Sequence, residues 1–157
     1  MEESIKKDNL TYDIWKCLGL KEVSPRQLSP LVLAYIGDSI FDLVVKTMIV
    51  TRGNTQVNKM NKEASSIVKA EAQSKMIGFL EDRLTEEEES IYKRGRNAKS
   101  YTSAKNASIS DYRRATGFEA LMGYLYMSGN YERMCGLIKE ALDYLEDEKK
   151  AAKKAVK

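Results

Sequence analysis

Three acids stand where acids are least expected. Asp38 and Asp42 lie one helical turn apart within PLVLAYIGDSIFDLVVKTMIV, Pro30–Val50, and Glu119 lies within ATGFEALMGYLY, Ala115–Tyr126. Both stretches are otherwise almost wholly apolar. A carboxylate buried without a partner is costly and tends to take up a proton. These positions are interior to their helices, so capping does not explain them. Each acid therefore needs a cation, a set of donors or an opening to solvent. Structural pairing with Arg or Lys is one answer. The other is a metal: acids from two facing helices could hold a hard divalent cation, Mg²⁺ or Mn²⁺, through oxygen. A basic stretch leads directly into the second acid-bearing segment and would draw in a polyanion. Together these features suggest metal-assisted hydrolysis of a phosphodiester.

Composition narrows the chemistry further. The chain has 157 residues, no histidine and a net charge of +3. Without imidazole there is no Ser-His or Cys-His nucleophile pair and no histidine general base. Cys17 and Cys135 are far apart and without histidine company, which argues for two reduced, partly buried thiols rather than zinc. The length suits one domain, expected to span 1–157 with a core over about 29–142 and a charged tail over 146–157. No run is long and apolar enough for a membrane span, and the first residues lack a signal-peptide core, so the expected location is cytoplasmic, with no membrane partner.

The elements that must position these acids read as helices throughout, an all-α fold. Pro30–Val50 is apolar on nearly every side, the mark of a helix buried in a core. Ser29 suits its cap and Pro30 its first turn. Before it, Leu10–Leu18 predicts a short helix ended by Gly19, with Trp15 as a packing anchor. After it, Asn54 or Thr55 can cap a helix carrying Val57, Met60, Ala64, Ile67 and Val68, and a further segment runs to Leu80. Thr85 with Glu88 forms a capping-box pattern opening a helix to about Arg94. Lys93–Arg114 is rich in Gly, Asn and Ser and holds seven basic residues against one acid, Asp111. It reads as a loop. Ser110 is the expected cap of the next helix, whose Gly117 and Gly123 permit close backbone approach. Asn130 is the expected cap of the last helix, with Met134, Leu137, Ile138, Ala141, Leu142 and Leu145 at helical period.

Two of these stretches carry a resemblance. AYIGDSIFDLVV, Ala34–Val45, resembles the signature helix of the ribonuclease III family, roughly LEFLGDAVLxLVV. ATGFEALMGYLY resembles that family's second motif, ADAFEALIGAIY. RGRNAKS, Arg94–Ser100, and the short length are similar to the Mini-III branch, a ribonuclease III catalytic domain without an appended double-stranded-RNA-binding domain. The similarity spans roughly Ser29 to Leu142. It implies a helical, homodimeric endoribonuclease domain that cuts double-stranded RNA with Mg²⁺, Mn²⁺ being a substitute, and leaves 5′-phosphate and 3′-hydroxyl ends. For the branch it implies maturation of large-subunit (23S) ribosomal RNA, with a ribosomal protein as a further partner. Asp38 and Glu119 fall on the family's catalytic, metal-ligating acids. Tyr35 falls on an aromatic position at the dimer interface.

Two departures accompany the match. The broader family has a glutamate where this chain has Ala34 and an aspartate where it has Thr116. Both positions share a face with Asp38 or Glu119. The branch shares such losses, and Asp42 and Thr116 are candidates to complete the surroundings of the metal from one step further out. For RNA contact the expected residues are Arg94, Arg96, Asn97, Lys99, Thr102, Lys105 and Asn106, the cations meeting phosphates and the small polar groups 2′-hydroxyls. A catalytically silent module that binds structured RNA or ribosomal particles is the alternative. The retained Asp38 and Glu119 argue against it. A helical DNA-binding protein fits poorly, because the basic cluster lies outside any regular helix face.

Overall fold

The structure is a computed structural model that describes residues 9–98 and 108–156. Its helices are α1 (Leu10–Cys17), α2 (Pro30–Thr51), α3 (Val57–Val68), α4 (Ala70–Leu80), α5 (Glu86–Asn97), α6 (Ile109–Met127) and α7 (Tyr131–Ala155). Short 3₁₀ turns at Pro25–Gln27 and Glu81–Arg83 join them. The described residues contain no strand.

The two acid-bearing stretches become α2 and α6, and these make the most extensive helix–helix contact in the molecule. Their closeness follows from two glycines. A Cβ on Gly37 would collide with the carbonyl oxygen of Glu119, and one on Gly123 with that of Leu33. Only hydrogen at both positions lets the backbones touch. Phe41 and Phe118 meet edge to face beside this crossing, ring centroids 5.0 Å apart. α6 is the axis of the fold, packed by α2, α5, α4 and α7. Met76, Ile77, Leu80, Leu121, Met122 and Leu137 close the core around it with no exposure to solvent.

Caps fix the helix starts. Ser29 accepts from the Val32 amide and Pro30 occupies the first turn of α2. At α5 the capping box is complete: Thr85 Oγ1 accepts from Glu88 N, and Glu88 accepts from Thr85 N at 2.9 Å. Glu88 is buried, which opposes its charge. Hydrogen bonds from Arg133 and from the Thr85 backbone outweigh that cost and hold its carboxyl below the usual range. The Arg133 bonds at 2.8 and 2.9 Å also tie α7 to the start of α5. α1 is fixed by Thr11, whose hydroxyl donates to the Tyr126 carbonyl at 2.9 Å, and by Trp15, which is buried as expected.

Several local expectations need correction. α2 is not buried all round: Leu31, Val32, Tyr35, Leu43 and Val50 are exposed, so one apolar face looks outward. The stretch expected as a loop from Lys93 to Arg114 is helical at both ends, α5 reaching Asn97 and α6 beginning at Ile109. Ser108, not Ser110, caps α6, accepting from Asp111 N at 3.0 Å. α3 starts after Gln56 with no side-chain cap, and Asn130 occupies the cap position of α7 without making the side-chain bond. α7 runs on as helix through the charged tail to Ala155. Both cysteines are free and exposed rather than partly buried. No described helix is long and apolar enough to cross a membrane.

Candidate functional site

The α2–α6 crossing decides where the acids lie. Gly37 fits against the backbone of Glu119, and Asp38 is the next residue, so the two carboxyl groups come together from facing helices. Asp38 is exposed, which corrects the expectation of a buried acid, whereas Glu119 is half-buried. Burial, then the hydrogen bond and negative charge of Asp38, push the Glu119 carboxyl up to about 9. At neutral pH the Glu119 carboxyl therefore holds its proton. No lysine or arginine among the described residues forms an ion pair with either acid.

Other positions on these helices differ in what surrounds them. Asp42 pairs with Lys46 at 2.9 Å on the same helix. Thr116 is buried and its hydroxyl donates to the Tyr112 carbonyl at 3.0 Å, which leaves the oxygen able to accept. Ala34 is buried. Tyr35 is 81% exposed on the outward face of α2.

The donor set suits one kind of ion. Two neighbouring carboxyl groups, with no cationic side chain among the described residues paired to them, could accept a hard cation in place of the Glu119 proton. Among the described residues no group of three or more ligating side chains is gathered. Asp38 and Glu119 would thus give only part of a coordination shell. That would suit a hard divalent cation that completes its shell with waters and other oxygens.

The basic residues fall into two groups around the last turn of α5. Arg94 lines a depression of about 700 Å³ with Pro30, Glu86, Glu89, Ser90 and Lys93. Arg96 lines another, of about 430 Å³, with Tyr92, Arg113 and Arg114. Asn97 borders both. Lys99, Thr102, Lys105 and Asn106 lie outside the described residues. Arg113 and Arg114 have no place among the RNA contacts expected from sequence. Both were expected on the helix after Ser110, but their nearness to the end of α5 was not readable from spacing.

The model of the Ribonuclease III domain matches residues 31–130, from α2 to the end of α6. The chain belongs to the ribonuclease III family. Within it, similar relatives include proteins named Mini-ribonuclease 3. The Clostridium tetani protein is 48% identical over 123 residues, covering 78% of this chain and 82% of its own. That of a Thermoanaerobacter species is 46% identical over 120 residues, covering 76% and 84%. The Streptococcus pneumoniae protein is 42% identical over 121 residues, covering 76% and 94%. A crystal structure of a Fusobacterium nucleatum protein superposes with a TM-score of 0.70 at 28% identity, over 78% of this chain and 98% of that one. The ribonuclease III resemblance seen in Ala34–Val45 and Ala115–Tyr126 is therefore borne out, and with it the all-α fold of that family.

Proposed function

We propose that this ribonuclease III-type endoribonuclease cuts double-stranded RNA in a reaction dependent on a divalent cation, with Mg²⁺ as the physiological ion. The observation that carries the reading is the pairing of Asp38 and Glu119 across the α2–α6 contact, with no cationic side chain among the described residues paired to either. When bound there, the ion would polarise the scissile phosphate and acidify a water. Glu119 would give up its proton to hold the ion, and Asp38, exposed beside it, would lie open to an incoming strand. Thr116 accepts or donates a hydrogen bond one turn from Glu119, and Asp42, held by Lys46, steadies the field from the next turn of α2. Attack of water on phosphorus with release of the 3′-oxygen leaves 5′-phosphate and 3′-hydroxyl ends. Precursor large-subunit ribosomal RNA is the proposed substrate, met in the cytoplasm, with a ribosomal protein as a candidate helper.

The active form in this reading is a homodimer. Val32, Tyr35 and Leu43 recur at helical spacing on the outward face of α2. An apolar stripe rooted in the central helix is the kind of surface a second copy covers. RNA contact falls to Arg94, Arg96 and Asn97, with Lys99, Thr102, Lys105 and Asn106 from the segment that follows.

The test is cleavage of a long RNA duplex with Mg²⁺ or with EDTA, by the wild type and by Asp38→Asn. Removing one charge-stabilising group typically costs about 10²–10³ in rate, and more where it holds the metal. The expected result is metal-dependent cutting by the wild type and a loss of at least that size in the variant. Undiminished turnover in Asp38→Asn would remove Asp38 from the site. Duplex binding without cutting by either protein would favour a silent module.

A further inference from the structure

The depression bordered by Arg96, Arg113 and Arg114 lies apart from the two acids and adds Arg113 to the RNA contacts proposed above. It is lined by Glu81, Tyr92, Arg96, Asn97, Ile109, Ser110, Arg113 and Arg114, three guanidinium groups against one carboxylate. That carboxylate is already engaged. The Tyr92 hydroxyl donates to Glu81 Oε1 at 3.2 Å, and an Arg114 guanidinium nitrogen lies 3.9 Å from the same oxygen. Arg114 also bonds the Tyr92 hydroxyl. It lies across Gly78 of α4, where a Cβ would displace it. Glu81, Tyr92 and Arg114 thus form a fixed floor.

The rim is different. Arg96 sits over the Tyr92 ring, 5.6 Å from its centroid, with its Nε donating to Asn97 Oδ1 at 3.2 Å. Arg113 is exposed. No carboxylate among the described residues forms an ion pair with either. Two guanidinium groups that no described carboxylate pairs with thus line a pocket whose floor is itself charge-balanced. The first turn of α6, with its positive dipole end, forms one wall. Planar guanidinium groups match phosphate oxygens bidentately.

The geometry points to a phosphate-binding subsite at this pocket, in which Arg113 and Arg96 grip a phosphodiester of the RNA duplex away from the bond that is cut. This rests on the reading of duplex RNA as substrate. Around α6, the pocket lies on the side facing α4 and α5, and Glu119 lies on the side facing α2. A phosphate held here therefore belongs to a part of the duplex other than the scissile one. Its role is to set where the duplex lies.

The experiment is binding of a fluorescent RNA duplex across a salt series, measured in the full chain carrying Asp38→Asn to prevent cutting. Arg113→Gln should weaken binding and lower the slope of log K against log salt by about one, the loss of one phosphate contact. Arg113→Lys keeps the charge and should keep the slope. Arg96→Gln should behave as Arg113→Gln does, and Lys139→Gln, far along α7, serves as the control for general charge. Melting followed by circular dichroism checks that each variant is folded. An unchanged slope in both glutamine variants, with the parent binding duplex normally, would overturn the subsite and leave the duplex reading intact. Failure of the parent itself to bind duplex would overturn both.

Discussion

At the scale of single residues, Glu119 is the group whose state says most about the site. Its carboxyl is raised from an ordinary value of 4.5 to about 9 by burial and by Asp38. The folded protein therefore holds a proton that the unfolded chain loses above about pH 4.5. The stability this gives is complete at pH values below that point, and it is lost as pH rises towards about 9. Metal-free protein should become less stable across this window, and Glu119→Gln should remove that part of the slope; denaturant unfolding at several pH values measures it. A cation competing for the same oxygens must expel the proton. Mg²⁺ binding at neutral pH should thus release protons, detectable by calorimetry in buffers of different ionisation enthalpy, and should release fewer in Glu119→Gln. Asp38 and Glu119 were legible as a pair because an acid inside an apolar helix is conspicuous. The exposure of Asp38 was not, because sequence spacing tells which residues share a face but not which face the neighbouring helices leave open.

At the scale of elements, the α2–α6 crossing carries the precision of the site. Gly37→Ala would force the backbones of α2 and α6 apart. Overpacking of this kind typically costs about 1–3 kcal/mol, sometimes more. The expected outcome is a lower unfolding midpoint together with weakened Mg²⁺ binding. A loss of stability with unchanged metal affinity would show that the acids do not depend on the crossing. Most of this layer could be read in advance, because long helices announce themselves by period: Pro30–Val50 becomes Pro30–Thr51, and Thr85 and Glu88 form the expected capping box. The last turn of α5 escaped because its inward contact is made by Gly95, which leaves no apolar periodicity. Ser108 and Ser110 are equally good caps by type, and only the register of the first turn separates them.

At the scale of the whole molecule, the outward face of α2 is the feature a single copy leaves unexplained. Tyr35 at 81% exposure and Leu43 at 50% are costly to leave in water if nothing covers them. Tyr35→Glu combined with Leu43→Glu should convert a dimer to a folded monomer, seen as a halved mass by sedimentation. A wild type already monomeric at working concentration would overturn the homodimer. Apart from Tyr35, which the resemblance set at a dimer interface, helical period could not separate this face from the core, because apolar residues inside a fold and on an outward face follow the same spacing.

The meeting of Gly37 with the Glu119 carbonyl has a practical consequence. The gap between the two acids is gauged by main chain against main chain, not by the acids themselves. Exchanging either carboxylate for its amide alters what the site can do without loosening the jig that holds it. Inactive forms of this protein should therefore be faithful castings of the active one, fit to trap an uncut substrate in its working pose.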